Sequence, residues 1–307
     1  MPSPSDESLS TWCERNLGAP VTERLFERAH LSAVIGVRLH DGKRVVVKTR
    51  PHAERLVACH QVQHHLHRAG FPCPRPLVAP TPLDATIATA EEFVLGGSML
   101  TGRDDMPELF AAALARLIAT APTVDTIGTL TPAPPWVGWD HDDERPWPRP
   151  DDLDADLNDH PAPAWLTEAA QRVRSRLTGT RLPPVVGHGD FESQNLRWDD
   201  SRLHVVHDWD SVVSLPEAAV AGAAAAVFKT TNASGAHTRI DETERFLAAY
   251  EAAGGGTWNQ EERRVAWAAG VWVLAFNAKK ESVRMPNGPG QRQLAGEITE
   301  RLRRAQA

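Results

Sequence analysis

The run His188-Gly189-Asp190-Phe191-Glu192-Ser193-Gln194-Asn195 sets a carboxylate and a carboxamide five residues apart, just after the apolar pair Val185-Val186. A second short β-type run, 203–207, then delivers another carboxylate, Asp208. Alternation along 203–209 puts His204, Val206 and Asp208 on one face and Leu203, Val205, His207 and Trp209 on the other. His204 and His207 therefore point apart and do not form a metal pair. Asp208 stands at the end of its strand, where a side chain can reach a ligand. Asp190 and Asn195 lie in the loop after the preceding strand, so all three can converge.

Phosphoryl transfer is a chemistry that uses this set. Its transition state needs charge neutralisation and an aligned nucleophile more than covalent help. One carboxylate accepts a hydrogen bond from the attacking hydroxyl. A second carboxylate and an amide oxygen hold Mg²⁺, a hard ion that prefers oxygen ligands. The plain alternative is that these residues cap loops, as Asx side chains commonly do.

The block resembles the catalytic loop of the aminoglycoside phosphotransferase/choline kinase family, a small-molecule branch of the protein-kinase-like fold. It fits the pattern H-x-D-x4-N, with Gly189 where protein kinases carry Arg, and Asp208-Trp209-Asp210 stands where the metal-binding aspartate is expected. The resemblance implies that Asp190 positions or deprotonates the acceptor hydroxyl, while Asn195 and Asp208 ligate Mg²⁺. It also implies ATP, or another nucleoside triphosphate, as phosphoryl donor.

The same resemblance assigns residues upstream. Lys48, in "KRVVVKTR", matches the lysine that contacts the α- and β-phosphates. Ser32-Ala33-Val34 stands at the tip of the phosphate-covering loop, with Gly36 its one glycine. Glu92 and Val94 match the linker residues that hydrogen-bond adenine, with Gly96 following. Two departures stand out. The helix glutamate that pairs with the lysine is missing at the family spacing, where Cys59, His60 and Gln61 lie, and Glu54 is the candidate that remains. An aspartate expected near Ala219 to brace the catalytic loop is also absent. Gly97-x4-Gly102-Arg103 is not a P-loop, because Arg replaces Lys and Asp104 replaces Ser/Thr.

The elements that must position these residues fall into two groups. A short helix over 7–18 precedes β-type stretches at 21–28, 32–40 and 43–49, with a hairpin signal at Asp41-Gly42. A helix over 51–69 follows, opened by Pro51 and closed by Gly70, and two further strands end at Gly96-Gly97. Helical patterns then cover 106–120, 164–177, 216–230, 241–253, 260–281 and 289–305. The fold class expected is α+β: a protein-kinase-like two-lobe chain, with a small antiparallel-sheet lobe over 1–95 and a mostly helical lobe over 96–307. His60, His64 and His67 share one face of the 51–69 helix and read as a solvent-facing stripe rather than a metal site.

Composition limits the partners. The chain has 307 residues, a net charge of −7 and three cysteines, Cys13, Cys59 and Cys73, without metal spacing. No broad basic surface for nucleic acid is expected, nor a disulfide framework. The N-terminus lacks a basic, then apolar, leader pattern, and no apolar run is long enough to span a bilayer. A cytoplasmic protein is expected. Residues 136–159 interleave Trp136, Trp139 and Trp147 with Asp140, Asp142, Asp143, Glu144, Asp151, Asp152, Asp154, Asp156 and Asp159. Such a segment suits a cationic hydroxyl acceptor, such as an aminoglycoside or amino alcohol, or else it is a solvated acidic loop whose tryptophans fill local gaps. The reading is an ATP- and Mg²⁺-dependent kinase of a small hydroxylated molecule. Its rivals are a protein kinase, disfavoured by Gly189 and the lack of an Ala-Pro-Glu segment, and a nucleotide-binding pseudokinase acting as an interaction module.

Overall fold

The computed structural model describes residues 3–29, 32–231, 237–254 and 257–307. Helix α1 (Asp6–Leu17) starts where the Ser5 hydroxyl accepts from the Ser8 N–H at 3.1 Å and ends at Gly18, φ +82°, a start and a stop of ordinary chemistry. Strands β1 (Val21–Ala29), β2 (Ala33–Leu39), β3 (Arg44–Arg50), β4 (Pro76–Leu83) and β5 (Thr86–Glu92) form one antiparallel sheet in the order β1-β2-β3-β5-β4. The Asp41-Gly42 turn joins β2 to β3, with Gly42 at φ +84° and the Asp41 carboxylate accepting from the Lys43 N–H at 3.0 Å.

Period-two alternation divides this sheet. Ile35, Val37, Val45, Val47, Ala88 and Ala90 are buried with Leu9, Trp12 and Cys13 of α1 in one core. Val46, Lys48, Arg50 and Glu91 therefore turn to the opposite face. Helix α2 (Arg55–Arg68) packs there, its guanidinium Arg55 donating to the carbonyls of Leu130, Asp210 and Val212.

The second core belongs to the helices: α3 (Met106–Thr120), α4 (Ala164–Thr178), α5 (Glu217–Val227), α6 (Ile240–Gly254), α7 (Gln260–Arg284) and α8 (Pro289–Ala305). Helix α7 opens on a capping box of Asn259 and Glu262. Gly222 of α5 lets α7 approach very closely, since a Cβ there would meet the Ala266 carbonyl oxygen at 1.9 Å. Trp272 is fully buried and Trp267 nearly so, which makes both of them core.

Around the central motif the expected strand pair is replaced by two small sheets. Strand β6 (Pro184–His188) pairs with β9 (Val212–Pro216), and β7 (Leu196–Asp199) pairs with β8 (Arg202–Val206). Strands β7 and β9 are four and five residues long, too short for a periodic signal. The alternation argument also stops at Val206: Asp208 is not on a strand but at φ 64°, ψ 51°, a left-handed conformation. Among the described residues no helix is long and apolar enough to cross a membrane.

Candidate active site

Strand β6 ends at His188, which is 1 % exposed. Its Nε2 lies 3.0 Å from the His207 carbonyl oxygen, and its Nδ1 accepts from the Asp190 N–H at 3.2 Å. That pattern assigns a neutral ring protonated at Nε2, and burial holds its pKa below the ordinary histidine value. The ring also meets Trp209 edge-on at 5.6 Å. His188 thus ties the loop carrying Asp190 to the segment carrying Asp208. Gly189 has no room for a side chain: a Cβ would lie 2.9 Å from Val213 and 3.2 Å from the Ser211 carbonyl oxygen. Its own N–H donates to that oxygen at 2.7 Å, and its carbonyl accepts from Trp136 Nε1 at 2.8 Å. At the position expected to carry a bracing aspartate, Ala219 is fully buried, and neutral hydrogen bonds hold the loop instead.

Asn195 donates Nδ2 to the Asp190 carbonyl at 2.9 Å and to Asp190 Oδ2 at 2.7 Å. With both amide protons spent on Asp190, its Oδ1 is left as an acceptor. Ser211 donates to Asp208 Oδ2 at 2.9 Å. The left-handed backbone at Asp208 is one that a short polar residue tolerates at some cost. The two carboxyls are driven apart electrostatically. Burial, then the charge of Asp208, pushes Asp190 up to about 7. Burial acts on Asp208 too, but the charges of Lys48 and Arg50, with the Ser211 hydrogen bond, outweigh it and hold that carboxyl below its usual range. The pair therefore offers one carboxyl poised near neutrality and one firmly ionised.

Lys48 pairs with Glu91 Oε1 at 3.0 Å, the two side chains being 10 % and 8 % exposed. Gln63 of α2 donates to Glu91 Oε2 at 3.0 Å and to the Pro74 carbonyl at 3.0 Å. This corrects the assignment of Glu54, which is exposed in the turn leading into α2 and forms no bond to Lys48. The reason is geometric: Glu91 sits on β5 beside β3, on the face that Lys48 presents. Arg50, two residues on, pairs with the Asp210 carboxylate.

Two cavities meet at these residues. One of about 340 Å³ is lined by Phe26, Val34, Val46, Lys48, Glu91, Glu92, Phe93, Val94, Asn195 and Asp208. Phe26 and Phe93 stand 5.9 Å apart in its wall, and Gly36 makes space for the Phe26 ring, since a Cβ there would lie 2.2 Å from it. Glu92 donates its main-chain N–H to the Arg75 carbonyl at 2.9 Å. A second cavity of about 500 Å³ is lined by Trp136, Asp151, Asp152, Asp190, Glu192, Gln194, Asp208, Asn277, Lys280 and Glu281 among others. Asp208 lines both. Ser32 lies apart from these, in an adjoining space of about 500 Å³ with Arg50, Trp136 and Asp208.

Only part of the 136–159 segment reaches the site. Trp139 and Trp147 are buried in the core. Asp143 and Asp156 pair with Arg145 at 2.8 and 3.0 Å, and Asp154 pairs with Arg149 at 2.8 Å. Arg174 of α4 donates to the carbonyls of Trp139, His141, Asp143 and Arg145 and staples this stretch down. The residues that line the cleft are Trp136, Asp151 and Asp152, the last paired with Lys280.

The side chains missed from sequence are Glu91, Gln63, Glu192 and Lys280. Glu91 acts through the pairing of β5 with β3, a contact between strands distant in the chain that no local pattern announces. Glu192 is 6 % exposed and is driven well above the usual carboxyl range by burial and by Asp190. Lys280 sits on a long, mostly buried helix whose sequence marks no special face. Among the described residues no group of three or more His, Cys, Asp or Glu side chains could hold a metal by itself. On α2, His64 is exposed and His60 and His67 are half-buried.

The sequence model of a family described as "Phosphotransferase enzyme family" (APH) matches residues 32–267. No curated protein sequence matches the chain. Among solved structures, a macrolide 2'-phosphotransferase type I is 20 % identical, with 94 % of each chain covered and a TM-score of 0.56. An amicoumacin kinase solved with AMP-PNP and Ca²⁺ is 12 % identical, covering 91 % of this chain and 87 % of its own, with a TM-score of 0.61. A choline/ethanolamine kinase family protein from Mesorhizobium loti is 14 % identical, covering 98 % and 95 %, with a TM-score of 0.55.

Proposed function

Because the chain belongs to the phosphotransferase enzyme family, we propose that it transfers a phosphoryl group from Mg·ATP to a hydroxyl of a small molecule. The observation that carries this reading is the placement of Asp208. It lines both cavities, with Asn195 beside it in the smaller and Asp190 in the larger. A donor held in the smaller cavity and an acceptor in the larger would meet there.

The residues present fit both bound groups. Asn195 Oδ1 and the Asp208 carboxylate are hard oxygen donors, and Asp210, which lines the adjoining space with Asp208, has a buried Oδ1 without a hydrogen-bond partner. Mg²⁺ keeps several waters and takes phosphate oxygens, so two protein ligands suffice. When bound, the ion neutralises phosphate charge. For the nucleotide, Phe26, Val34, Val46 and Phe93 give apolar walls, and Glu92 and Val94 offer main-chain groups for adenine. Lys48, oriented by Glu91, faces the phosphates, and Ser32 stands outside this cavity, in the adjoining space that Asp208 also lines. Residues 1–95 form the nucleotide-holding unit and 96–307 the acceptor unit.

Asp190 accepts a hydrogen bond from the acceptor hydroxyl and takes its proton as the new P–O bond forms and the bond from the γ-phosphorus to the β–γ bridging oxygen breaks, leaving ADP. The Asn195 amide fixes the Asp190 carboxylate in direction. The acidic lining of Asp151, Asp152 and Glu281 favours an acceptor bearing amines, with Trp136 as an aromatic wall. Some solved neighbours carry such ligands in their names, hygromycin B and spectinomycin among them. The three cysteines are free and buried, which suits a reducing, cytoplasmic setting. The pseudokinase alternative leaned on a missing helix glutamate, and Glu91 supplies that carboxylate from the sheet.

ADP release in the presence of a panel of amino sugars, amino alcohols and neutral sugars, with Mg²⁺ and with a chelator, tests the proposal. Acceptor-dependent, chelator-sensitive turnover is expected. Tight Mg·ATP binding without turnover on any acceptor would favour an interaction module.

A further inference from the structure

The chain between the sheet and the helical lobe is held in an unusual way. After Val94 it runs through Leu95, Gly96 and Gly97, with the glycines at φ +87° and +68°. It then adds to the edge of the β7–β8 hairpin, where Ser98 and Trp198 exchange main-chain hydrogen bonds of 2.9 and 2.8 Å. Beneath this crossing stands His204 of β8. Its Nε2 lies 2.8 Å from the Leu95 carbonyl oxygen, and its Nδ1 lies 3.0 Å from Asp199 Oδ2. The Leu95 carbonyl only accepts, so the clamp on it uses the N–H at Nε2. The fit is tight: a Cβ on Gly97 would lie 2.9 Å from the His204 ring and 2.8 Å from Arg197 Cβ.

We propose that His204 is a positioning residue for the nucleobase: by clamping the Leu95 carbonyl with a ring steadied by Asp199, it sets where Val94 presents its main-chain groups to the smaller cavity. This rests on the reading of that cavity as the nucleotide site. Val94 is one residue from the clamped carbonyl, and it lines the cavity together with Phe93. The sheet lobe holds Lys48 and the hairpin leads into Asp208, so the crossing also fixes the distance from base to metal ligands. A side chain acting at the linker touches the base end of a nucleotide and not its phosphate end.

That asymmetry is the test. Titration calorimetry with adenosine, ATP and inorganic tripolyphosphate, each with Mg²⁺, is run on the wild type, His204→Ala, His204→Gln and Asp199→Asn. Loss of one ordered hydrogen bond corresponds to about a tenfold effect. His204→Ala is expected to weaken adenosine and ATP equally, by about tenfold, and to leave tripolyphosphate within about twofold. His204→Gln, which keeps one N–H donor, should recover most of the loss, and Asp199→Asn should lose less than His204→Ala. Should His204→Ala fail to fold, the Asp199→Asn and His204→Gln profiles carry the same comparison. Unchanged adenosine affinity, or an equal loss on tripolyphosphate, overturns the proposal. A wild type that binds tripolyphosphate but no adenosine overturns the nucleotide reading beneath it.

Discussion

Lys48 and Glu91 face each other across adjacent strands, Nζ to Oε1 at 3.0 Å, with both side chains nearly withdrawn from solvent. The lysine's carboxylate therefore comes from the same sheet that carries the lysine, and Gln63 of α2 only steadies the far oxygen. Movement of α2 alone would not separate the pair. Lys48 is thus held in place by the sheet itself.

A buried ion pair of this kind is costly to break from one side, because the remaining charge is left uncompensated. Glu91→Ala is expected to cost roughly 3–5 kcal/mol of stability, and Lys48→Ala a similar amount. The double variant should recover part of that sum. Denaturant unfolding of the three variants checks it. Strict additivity would show that the two groups act independently.

Metal binding should follow Asp208. ATP affinity measured by calorimetry should rise with Mg²⁺ in the wild type, and Asp208→Asn should remove most of that gain. An Mg²⁺ dependence equal in the two proteins would exclude Asp208 as a ligand.

The cleft contains Asp151 and Asp152, while Asp140 and Asp142 lie on the exposed outer part of the same segment. Asp152→Asn should raise the KM for a cationic acceptor several-fold and leave the ATP KM nearly unchanged. Asp140→Asn/Asp142→Asn should change neither. If the outer pair alone matters, the acceptor lies elsewhere.

The raised pKa of Asp190 has a consequence for stability. In the unfolded chain the carboxyl ionises near pH 4, but in the fold it keeps its proton to about 7. Its contribution is fully present below the unfolded value and is lost as pH rises toward 7. Asp190→Asn cannot ionise. It should therefore melt above the wild type at pH 8, with the gap shrinking toward pH 4, in the absence of nucleotide and divalent ion. A gap independent of pH would show that Asp190 is not held protonated.

The sequence carried the long periodic elements well. Helices expected over 106–120 and 289–305 are the observed α3 and α8, because apolar spacing over four turns is hard to mistake. The H-x-D-x4-N block is legible because His188, Asp190 and Asn195 belong to one short loop. Glu91 was not, since its role depends on β5 lying beside β3, a pairing between strands separated by α2 and β4. Which of the two readings of the 136–159 segment holds for Asp140 and Asp143 is hidden in the sequence for a related reason. Acidic residues count by where their side chains point, and Arg145 and Arg174 fold that stretch against the helices.

The central claim is that Asp190 is the carboxylate acting on the acceptor hydroxyl. Single-turnover phosphoryl transfer to a verified acceptor, measured for the wild type and Asp190→Asn beside direct Mg·ATP titrations, tests it most directly. Positioning and proton acceptance typically supply about 10²–10⁴-fold. The rate should therefore fall by that order, with Mg·ATP affinity kept within a few-fold. Transfer by Asp190→Asn at a near wild-type rate would contradict the assignment.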